Sequence, residues 1–178
     1  MVGVSFVKEK GLTETRAKIL TRALEKIDRE YEAELLRAKN KYLERFRRLA
    51  SQSLPAETKD KYKKNFLKQC KKELEQIETR YFKMAKEAID KEFPGADPVR
   101  LEAAFQKAPR GLKHLTKWGK KLWGSVKEWW KERAVKKEFR ETEFDVGRTA
   151  ESTYEEILHE LSQLSWANLR KTTPQKLV

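Results

Sequence analysis

Apolar residues recur at steps of three and four between residues 13 and 50, the spacing that lines one side of a helix. Charged residues fill most of the positions between them, and neither Gly nor Pro interrupts the segment. Thr13 is a favoured N-cap residue, so the pattern predicts one long helix that starts there. Its core-facing stripe comprises Ala17, Leu20, Leu24, Ile27, Tyr31, Leu35, Ala38, Tyr42, Phe46 and Leu49.

A second stripe begins after Ser51–Pro55, a stretch that ends the first helix. It predicts a helix of similar length from Ala56 to Phe93. Two long amphipathic helices joined by a short loop bury their stripes by folding back on each other. Residues 13–93 are therefore predicted to form a long antiparallel, coiled-coil-like hairpin. The second stripe comprises Tyr62, Phe66, Cys70, Leu74, Ile77, Tyr81, Met84 and Ala88.

Shorter elements are predicted on both sides of the hairpin, which makes the fold class all-α. In the last helix, Ser152 and Glu155 have the spacing of a capping box. Its predicted apolar side comprises Tyr154, Leu158, Leu161, Leu164 and Leu169, with Ile157 and Trp166 flanking it. The remaining predicted regions are an N-terminal arm (1–12), a basic Trp-rich region (94–140) with helices over 99–108 and 110–140, an acidic C-terminal helix (141–170) and a tail (171–178).

The segment 110–140 contains four of the five tryptophans, with eleven Lys or Arg residues against three Glu. On a helical wheel its apolar residues share one side, which we expect to pack on protein as an interface anchor. Most lysines lie opposite, where they would face an acidic partner. The apolar side comprises Leu112, Leu115, Trp118, Leu122, Trp123, Val126, Trp129 and Trp130. The lysine side comprises Lys113, Lys117, Lys120, Lys121, Lys127 and Lys131.

The formal net charge of the chain is +13, which indicates acidic partners such as nucleic acid, anionic lipid or an acidic protein surface. A second basic cluster is predicted near the tip of the hairpin. No helix-turn-helix, zinc-finger or RNP motif accompanies it, so nucleic-acid contact would be mainly to the backbone, with weak sequence specificity. The residues of this predicted cluster are Arg45, Arg47, Arg48, Lys59, Lys61, Lys63 and Lys64.

Catalytic chemistry finds little support in the sequence. There is no phosphate-binding Gly loop and no nucleophile elbow. Glu156 and His159 have the Glu-x-x-His spacing of di-iron bundles, but the second copy that such a site needs is missing. We therefore expect no enzyme activity, catalytic residues, metal, cofactor or small-molecule substrate.

The single cysteine, Cys70, lies on the second stripe, where a buried and inert thiol is expected. One cysteine cannot form an intramolecular disulfide, which favours a reducing location in the cytoplasm or inside a particle. No secretion signal is recognisable at the N-terminus, and no run of residues has the length and apolar character of a membrane span.

Three functional interpretations remain open. The first is a helical assembly component or adaptor with protein partner subunits, which binds nucleic acid or another acidic partner through its Lys and Arg faces. The second is a peripheral membrane-binding protein that uses the Lys/Trp helix at a lipid surface. The third is a purely structural coiled-coil subunit. In that case the acidic last helix offers a partner for the basic face of 110–140.

Overall fold

The computed structural model describes residues 2–95, 98–105, 109–123 and 147–164, and it confirms the all-α fold class. The two long helices pack against each other, and shorter helices follow them. At residues 2–12 and at some positions of the third and fourth helices, only the backbone is described. The helices are α1 (Val2–Ser51), α2 (Ala56–Glu92), α3 (Pro98–Ala104), α4 (Pro109–Trp123) and α5 (Ala150–Gln163).

The first stripe is confirmed in full, because all ten of its residues are buried along α1. The start of the helix differs from the prediction. α1 begins at Val2, so residues 2–12 continue it as a helix, and the predicted start at Thr13 is wrong. Gly3 and Gly11 weaken a helix by only about 1 kcal/mol each relative to Ala, and no proline stands in this stretch to end one.

The second stripe is confirmed from Cys70 to Tyr81 and then changes its phase. Ala85, Ile89 and Phe93 are buried, whereas the predicted Met84 is 38% exposed. The ring of Phe93 lies 6.1 Å from that of Phe105, which follows α3. This end of α2 therefore packs against more than α1 alone, and continued steps of four turn its apolar side towards the additional neighbour.

The chain divides into two compact units, and both long helices contribute to each. The first unit takes in residues up to Glu30 and from Arg80 to Gly147. Here α3 and α4 add buried side chains to the hairpin. Gly111 of α4 is itself buried, and a Cβ placed on it would overlap the ring of Phe105 and the hydroxyl of Thr21. The buried apolar residues of α3, its last turn and α4 are Leu101, Ala104, Phe105, Leu115 and Trp118.

The second unit takes in Tyr31–Thr79 and the residues from Arg148 onward. In it, α5 packs through Ala150, Thr153, Ile157 and Leu161, whereas Leu158 is 39% exposed. The predicted stripe of this helix is thus wrong at Leu158, because its neighbour Ile157 occupies the core-facing position.

The N-terminus of α5 also lies earlier than predicted. Thr149 is the N-cap, and its side chain accepts a hydrogen bond from the Ser152 amide while Ser152 Oγ accepts one from the Thr149 amide. The capping box is therefore Thr149 with Ser152, and the predicted box of Ser152 with Glu155 is wrong. The Tyr31 hydroxyl accepts a further hydrogen bond from the Ala150 amide at 2.9 Å. α5 therefore starts about one turn earlier than predicted, and its first turn is hydrogen-bonded to α1.

Candidate functional site

The tip of the hairpin brings the end of α1 and the beginning of α2 together within the second unit. The turn is held by hydrogen bonds from the Gln52 amide to the Leu49 carbonyl and from the Leu54 amide to the Gln52 carbonyl, at 3.3 and 3.0 Å. The Lys59 amide donates to the Pro55 carbonyl at 3.0 Å and so opens α2. Residues about 15 positions apart in sequence are therefore neighbours in space.

Most of the predicted basic residues of the tip reach the surface. On α1, Arg45, Arg47 and Arg48 are all exposed. On α2, Lys61 and Lys64 are exposed and Lys63 is half-buried. These six residues define what we call the tip cluster from here on.

The pair between Arg48 and Glu44 leaves the charge of Arg48 accessible. Its atoms are 2.6 Å apart, but the two side chains are 73% and 62% exposed. A pair this exposed contributes well under about 1 kcal/mol in water. Arg48 can therefore exchange this carboxylate for another anion at little cost.

Lys59 does not lie on the surface, and in this respect the prediction for it is wrong. The residue is only 5% exposed, and its Nζ donates a hydrogen bond to the Ala50 carbonyl at 2.9 Å. The last carbonyls of a helix lack partners within that helix, and they carry a partial negative charge that a lysine satisfies well. Lys59 therefore closes the end of α1 and is removed from the set of expected partner contacts.

A surface cleft of about 490 Å³ opens beside the tip cluster. Its lining combines two guanidinium groups with two aromatic rings and two leucines, and none of the seven lining residues is acidic. The cleft therefore offers an apolar wall next to fixed positive charge. The lining residues are Arg45, Arg48, Leu49, Gln52, Leu54, Tyr62 and Phe66.

The aromatic wall of the cleft is anchored in the core. Phe46 is fully buried and meets Phe66 edge-on, with ring centroids 5.9 Å apart. Phe66 in turn lies 6.2 Å from Tyr62, which is 46% exposed. The sequence pattern assigns Tyr62 and Phe66 to the hairpin stripe, and the cleft was not predicted. The feature that could have indicated it is the pair of aromatic residues four positions apart near the start of α2, which face two arginines near the end of α1.

A hydrogen-bonded network lies under Arg45, whose guanidinium sits 5.1 Å from the centroid of the Tyr42 ring. Burial, with a hydrogen bond to Glu73, raises the pKa of Tyr42 to about 12. Burial also works to raise the pKa of Glu73, but hydrogen bonds from Lys41 and Tyr42 outweigh it, so that pKa is lowered overall. The Lys41–Glu73 bond is 2.6 Å long. Arg45 therefore packs on a ring that is held in place by hydrogen bonds within the second unit.

Cys70 is confirmed as a buried free thiol. Burial and the nearby Glu73 charge raise its pKa to about 12, with Lys41 acting in the opposite direction. Since the thiolate is the reactive form, the thiol is inert at neutral pH.

In the first unit, a buried cluster centred on Asp28 holds α4 against α1. Asp28 is 5% exposed. Trp118 Nε1 donates to Asp28 Oδ1 at 2.7 Å, and Lys117 Nζ lies 3.8 Å from the same oxygen. His114 Nδ1 contacts Asp28 Oδ2, and its Nε2 lies 4.0 Å from Glu25 Oε1. Positions 114, 117 and 118 share one side of a helix, so one carboxylate meets all three side chains.

Lys117 is the second predicted contact that the structure places elsewhere. Its side chain is 3% exposed, so the predicted position on the outward lysine face is wrong. Position 117 lies close to position 114 on the helical wheel, so both side chains can reach the buried Asp28 carboxylate, and Lys117 Nζ is 3.8 Å from it. Removing one partner of such a pair is strongly destabilising, because a buried charge then loses a compensating neighbour. The cluster therefore has a structural role in docking α4.

The structure describes only some of the other predicted residues of 110–140. Leu115 and Trp118 are buried, as predicted, Leu122 is half-buried and Lys113 is exposed. The predictions for the side chains of Leu112, Lys120, Lys121 and Trp123, and for Val126, Lys127, Trp129, Trp130 and Lys131, lie outside the described residues.

The acidic helix α5 finds its charge partners within the second unit. Lys39 Nζ lies 3.1 Å from Glu156 and 3.4 Å from Glu160, and Arg148 also pairs with Glu156. Burial tends to raise the pKa of Glu156, but hydrogen bonds from Arg148 and Lys39 lower it overall. His159 is exposed and lies beside Gln163. Glu156 and His159 thus have separate surroundings, although they have the spacing of a metal pair.

The described residues also bear on metal sites and membrane spans. No group of three or more His, Cys, Asp and Glu side chains there is arranged to hold a metal ion. Within the same ranges, every helix is too short or too polar to cross a bilayer. A comparison with protein-family models, curated proteins and solved structures found no match. We therefore infer the function from the geometry of this chain.

Proposed function

We propose that this protein is a non-enzymatic helical adaptor that binds nucleic acid through the tip of its hairpin, mainly at the phosphate backbone. The observation that supports this function is the convergence of exposed cations at the end of α1 and the start of α2. A flexible lysine face on a single helix is common, whereas arginines and lysines from two helices around one turn concentrate charge on a small surface. Such a surface raises the local concentration of a polyanion and speeds its association.

The arginines of the tip cluster favour phosphate as the ligand. A guanidinium presents a planar fork of donors that matches the oxygens of a phosphate, and it is more weakly hydrated than an ammonium group. Arg45, Arg47 and Arg48 occupy one helical turn and face solvent. Protein partner subunits remain expected beside this contact, with the adaptor joining them to the nucleic acid.

The burial of Leu115 and Trp118 favours this proposal over membrane binding. An interfacial helix needs its apolar side free to enter the lipid. In α4, Leu115 and Trp118 of that side are already covered by protein, and Trp118 is hydrogen-bonded to Asp28. The purely structural interpretation accounts for the Asp28 cluster and for α5, but it assigns no role to the exposed arginines at the tip.

Salt dependence of binding tests the proposal. We expect random-sequence single strands to bind in a fluorescence anisotropy titration, with affinity falling steeply between about 50 and 200 mM salt. Each phosphate contact contributes a slope of about −0.7 on single strands, so the five exposed cations of the tip cluster predict a slope of roughly −3.5. The double variant Arg45→Gln/Arg48→Gln removes two contacts and should reduce the magnitude of the slope by about 1.4.

The matched control is Arg22→Gln/Arg29→Gln, which removes two exposed arginines of the same helix in the first unit. It leaves the net charge equal to that of the tip variant, so only the location of the lost charge differs. We expect its affinity and slope to stay close to the unmodified chain. Equal losses in both variants would show that binding follows net charge and not the tip. Absence of binding at low salt would remove the proposal.

A further inference from the structure

We propose that the cleft beside the tip cluster receives an unpaired base, which makes the protein selective for single-stranded over double-stranded nucleic acid. This inference rests on the proposed function and names the form of nucleic acid that the tip recognises. The cleft volume of about 490 Å³ falls within the usual range for small-molecule sites, about 300–1,000 Å³. It is therefore large enough for one base and part of its sugar.

Tyr62 supplies the surface on which a base would stack. Its side chain is 46% exposed and lines the cleft. Phe66 lies beside it at 6.2 Å, and the buried Phe46 supports Phe66 from below at 5.9 Å. An aromatic ring that is supported in this way loses little freedom when a base stacks on it, and every base has a face that can do so.

Arg45 and Arg48 place positive charge at the same cleft. They are three residues apart on α1 and so point from one side of the helix. Both line the cleft, and neither is buried. A nucleotide combines a flat aromatic group with an anion a short distance away, and the cleft pairs an aromatic wall with guanidinium groups in the same manner. The lining contains no carboxylate that would repel the phosphate.

A base of a duplex can enter this cleft only at an additional cost in free energy. Its bases are paired and stacked, and one of them enters a pocket only after it is flipped out of the helix. The exposed arginines would still contact the phosphates of a duplex. We therefore expect duplex binding to retain the electrostatic part of the affinity and to lack the stacking part.

The test compares three ligands of about 12 nucleotides: a single strand, the same strand in a duplex, and a strand of the same length that lacks its bases. The single strand should bind roughly 10-fold more tightly than the base-free strand, because both carry the same phosphates and only one can stack. Tyr62→Ala should lower the affinity for the single strand roughly 10-fold without changing its salt slope, and it should leave the base-free strand unaffected. Tyr62→Phe keeps the ring and should bind like the unmodified chain.

Several outcomes would overturn the inference, and they differ from failure of the proposed function. Equal affinities for the single strand and the base-free strand, with the arginine-dependent salt slope intact, would leave phosphate binding in place and remove base recognition. Stronger binding of the duplex would do the same. Displacement of the strand by an acidic, aromatic-containing peptide at lower concentration than by a free strand would assign the cleft to a protein ligand. Loss of all binding at low salt would remove both proposals together.

Discussion

In the Asp28 cluster, the charged groups are buried and satisfied by one another, whereas the arginines of the tip cluster meet the solvent. Lys117 has a side chain that is 3% exposed and lies 3.8 Å from Asp28. Arg48 has a side chain that is 73% exposed and pairs with Glu44, one turn earlier on the same helix. Both cations have an acidic neighbour. Burial of the pair makes it a stabilising contact of the fold, whereas solvent exposure leaves the cation free to bind another anion.

The difference shows why net charge alone is a poor guide to a binding surface. Lys59 and Lys117 contribute to the formal charge of +13, yet both are buried against groups of their own unit. A buried charge without its partner is costly, so these lysines fix helix ends and helix docking. The exposed cations at the tip are solvated by water and need no buried partner, so they can bind a polyanion.

The largest effect is expected for Asp28→Ala, which leaves the Lys117 ammonium group and the Trp118 N–H without this partner. Loss of one member of a buried pair costs about 3–5 kcal/mol. We expect the first unit to lose that much of its free energy of unfolding, and the amides of α4 to exchange with deuterium much faster. Hydrogen-exchange mass spectrometry measures this for α4 separately from the rest.

The control for that change is Asp90→Ala, an exposed aspartate on α2 in the same unit. It should alter the free energy of unfolding by less than about 0.5 kcal/mol. The combined change Asp28→Leu/Lys117→Met removes both charges and should recover much of the loss. Unchanged exchange in α4 after Asp28→Ala would refute the structural role of the cluster.

A smaller loss is expected for Gly111→Ala, because the new methyl group would overlap the Phe105 ring and the Thr21 hydroxyl. Overpacking of a filled core costs about 1–3 kcal/mol, which exceeds the roughly 1 kcal/mol that Ala gains over Gly in a helix. Urea unfolding should therefore show net destabilisation. In a double-mutant cycle, Phe105→Leu should cost less in the Gly111→Ala background than alone. Additive costs would mean that the ring is not the obstacle.

The pH dependence of stability tests the burial of Cys70 in the second unit. The folded pKa of Cys70, about 12, lies above its ordinary value of 9.0. Its contribution to stability is therefore complete below 9.0 and decreases as the pH rises towards 12. Between about pH 8 and pH 10, the unmodified chain should lose about 1.4 kcal/mol relative to Cys70→Ala, measured by urea unfolding. A constant difference between the two chains would contradict a buried thiol, as would rapid native alkylation of Cys70.

The smallest effect on stability is expected at the tip itself. Arg45→Gln/Arg48→Gln removes the exposed ion pair of Arg48, the cation–π contact of Arg45 with Tyr42 and the attraction between Arg45 and Glu73. Together these should change the free energy of unfolding by less than about 1 kcal/mol. Chemical denaturation followed by circular dichroism measures the change. A loss as large as that of Asp28→Ala would mean that the tip arginines hold the fold and are not available to a ligand.

Much of the fold could be predicted because each long helix buries one stripe against the other. The spacing from Ala17 to Leu49 contains that information directly, and every residue of this stripe is buried. Prediction failed where a third element decides the outcome. The change from Met84 to Ala85 on α2 accompanies the contact of Phe93 with Phe105, and a helical wheel for one segment holds no information on such a neighbour.

The candidate site was predicted only in part for the same reason. The exposed members of the tip cluster follow from their positions beside the hairpin turn. Lys59 and Lys117 contact the Ala50 carbonyl and the Asp28 carboxylate, which both belong to α1, and a helical wheel for one segment does not include groups of another helix. Asp28 itself is one polar residue among many on α1, and nothing in its local sequence marks it as buried.

Photo-crosslinking tests the location of the proposed contact most directly. A single strand that carries a photoreactive base is irradiated with the full-length protein at low salt, and the attached peptides are identified by mass spectrometry. The account predicts attachment within the segment from Arg45 to Phe66, with loss of the signal in Tyr62→Ala. Attachment confined to other parts of the chain, or a signal that Tyr62→Ala leaves unchanged, would contradict it.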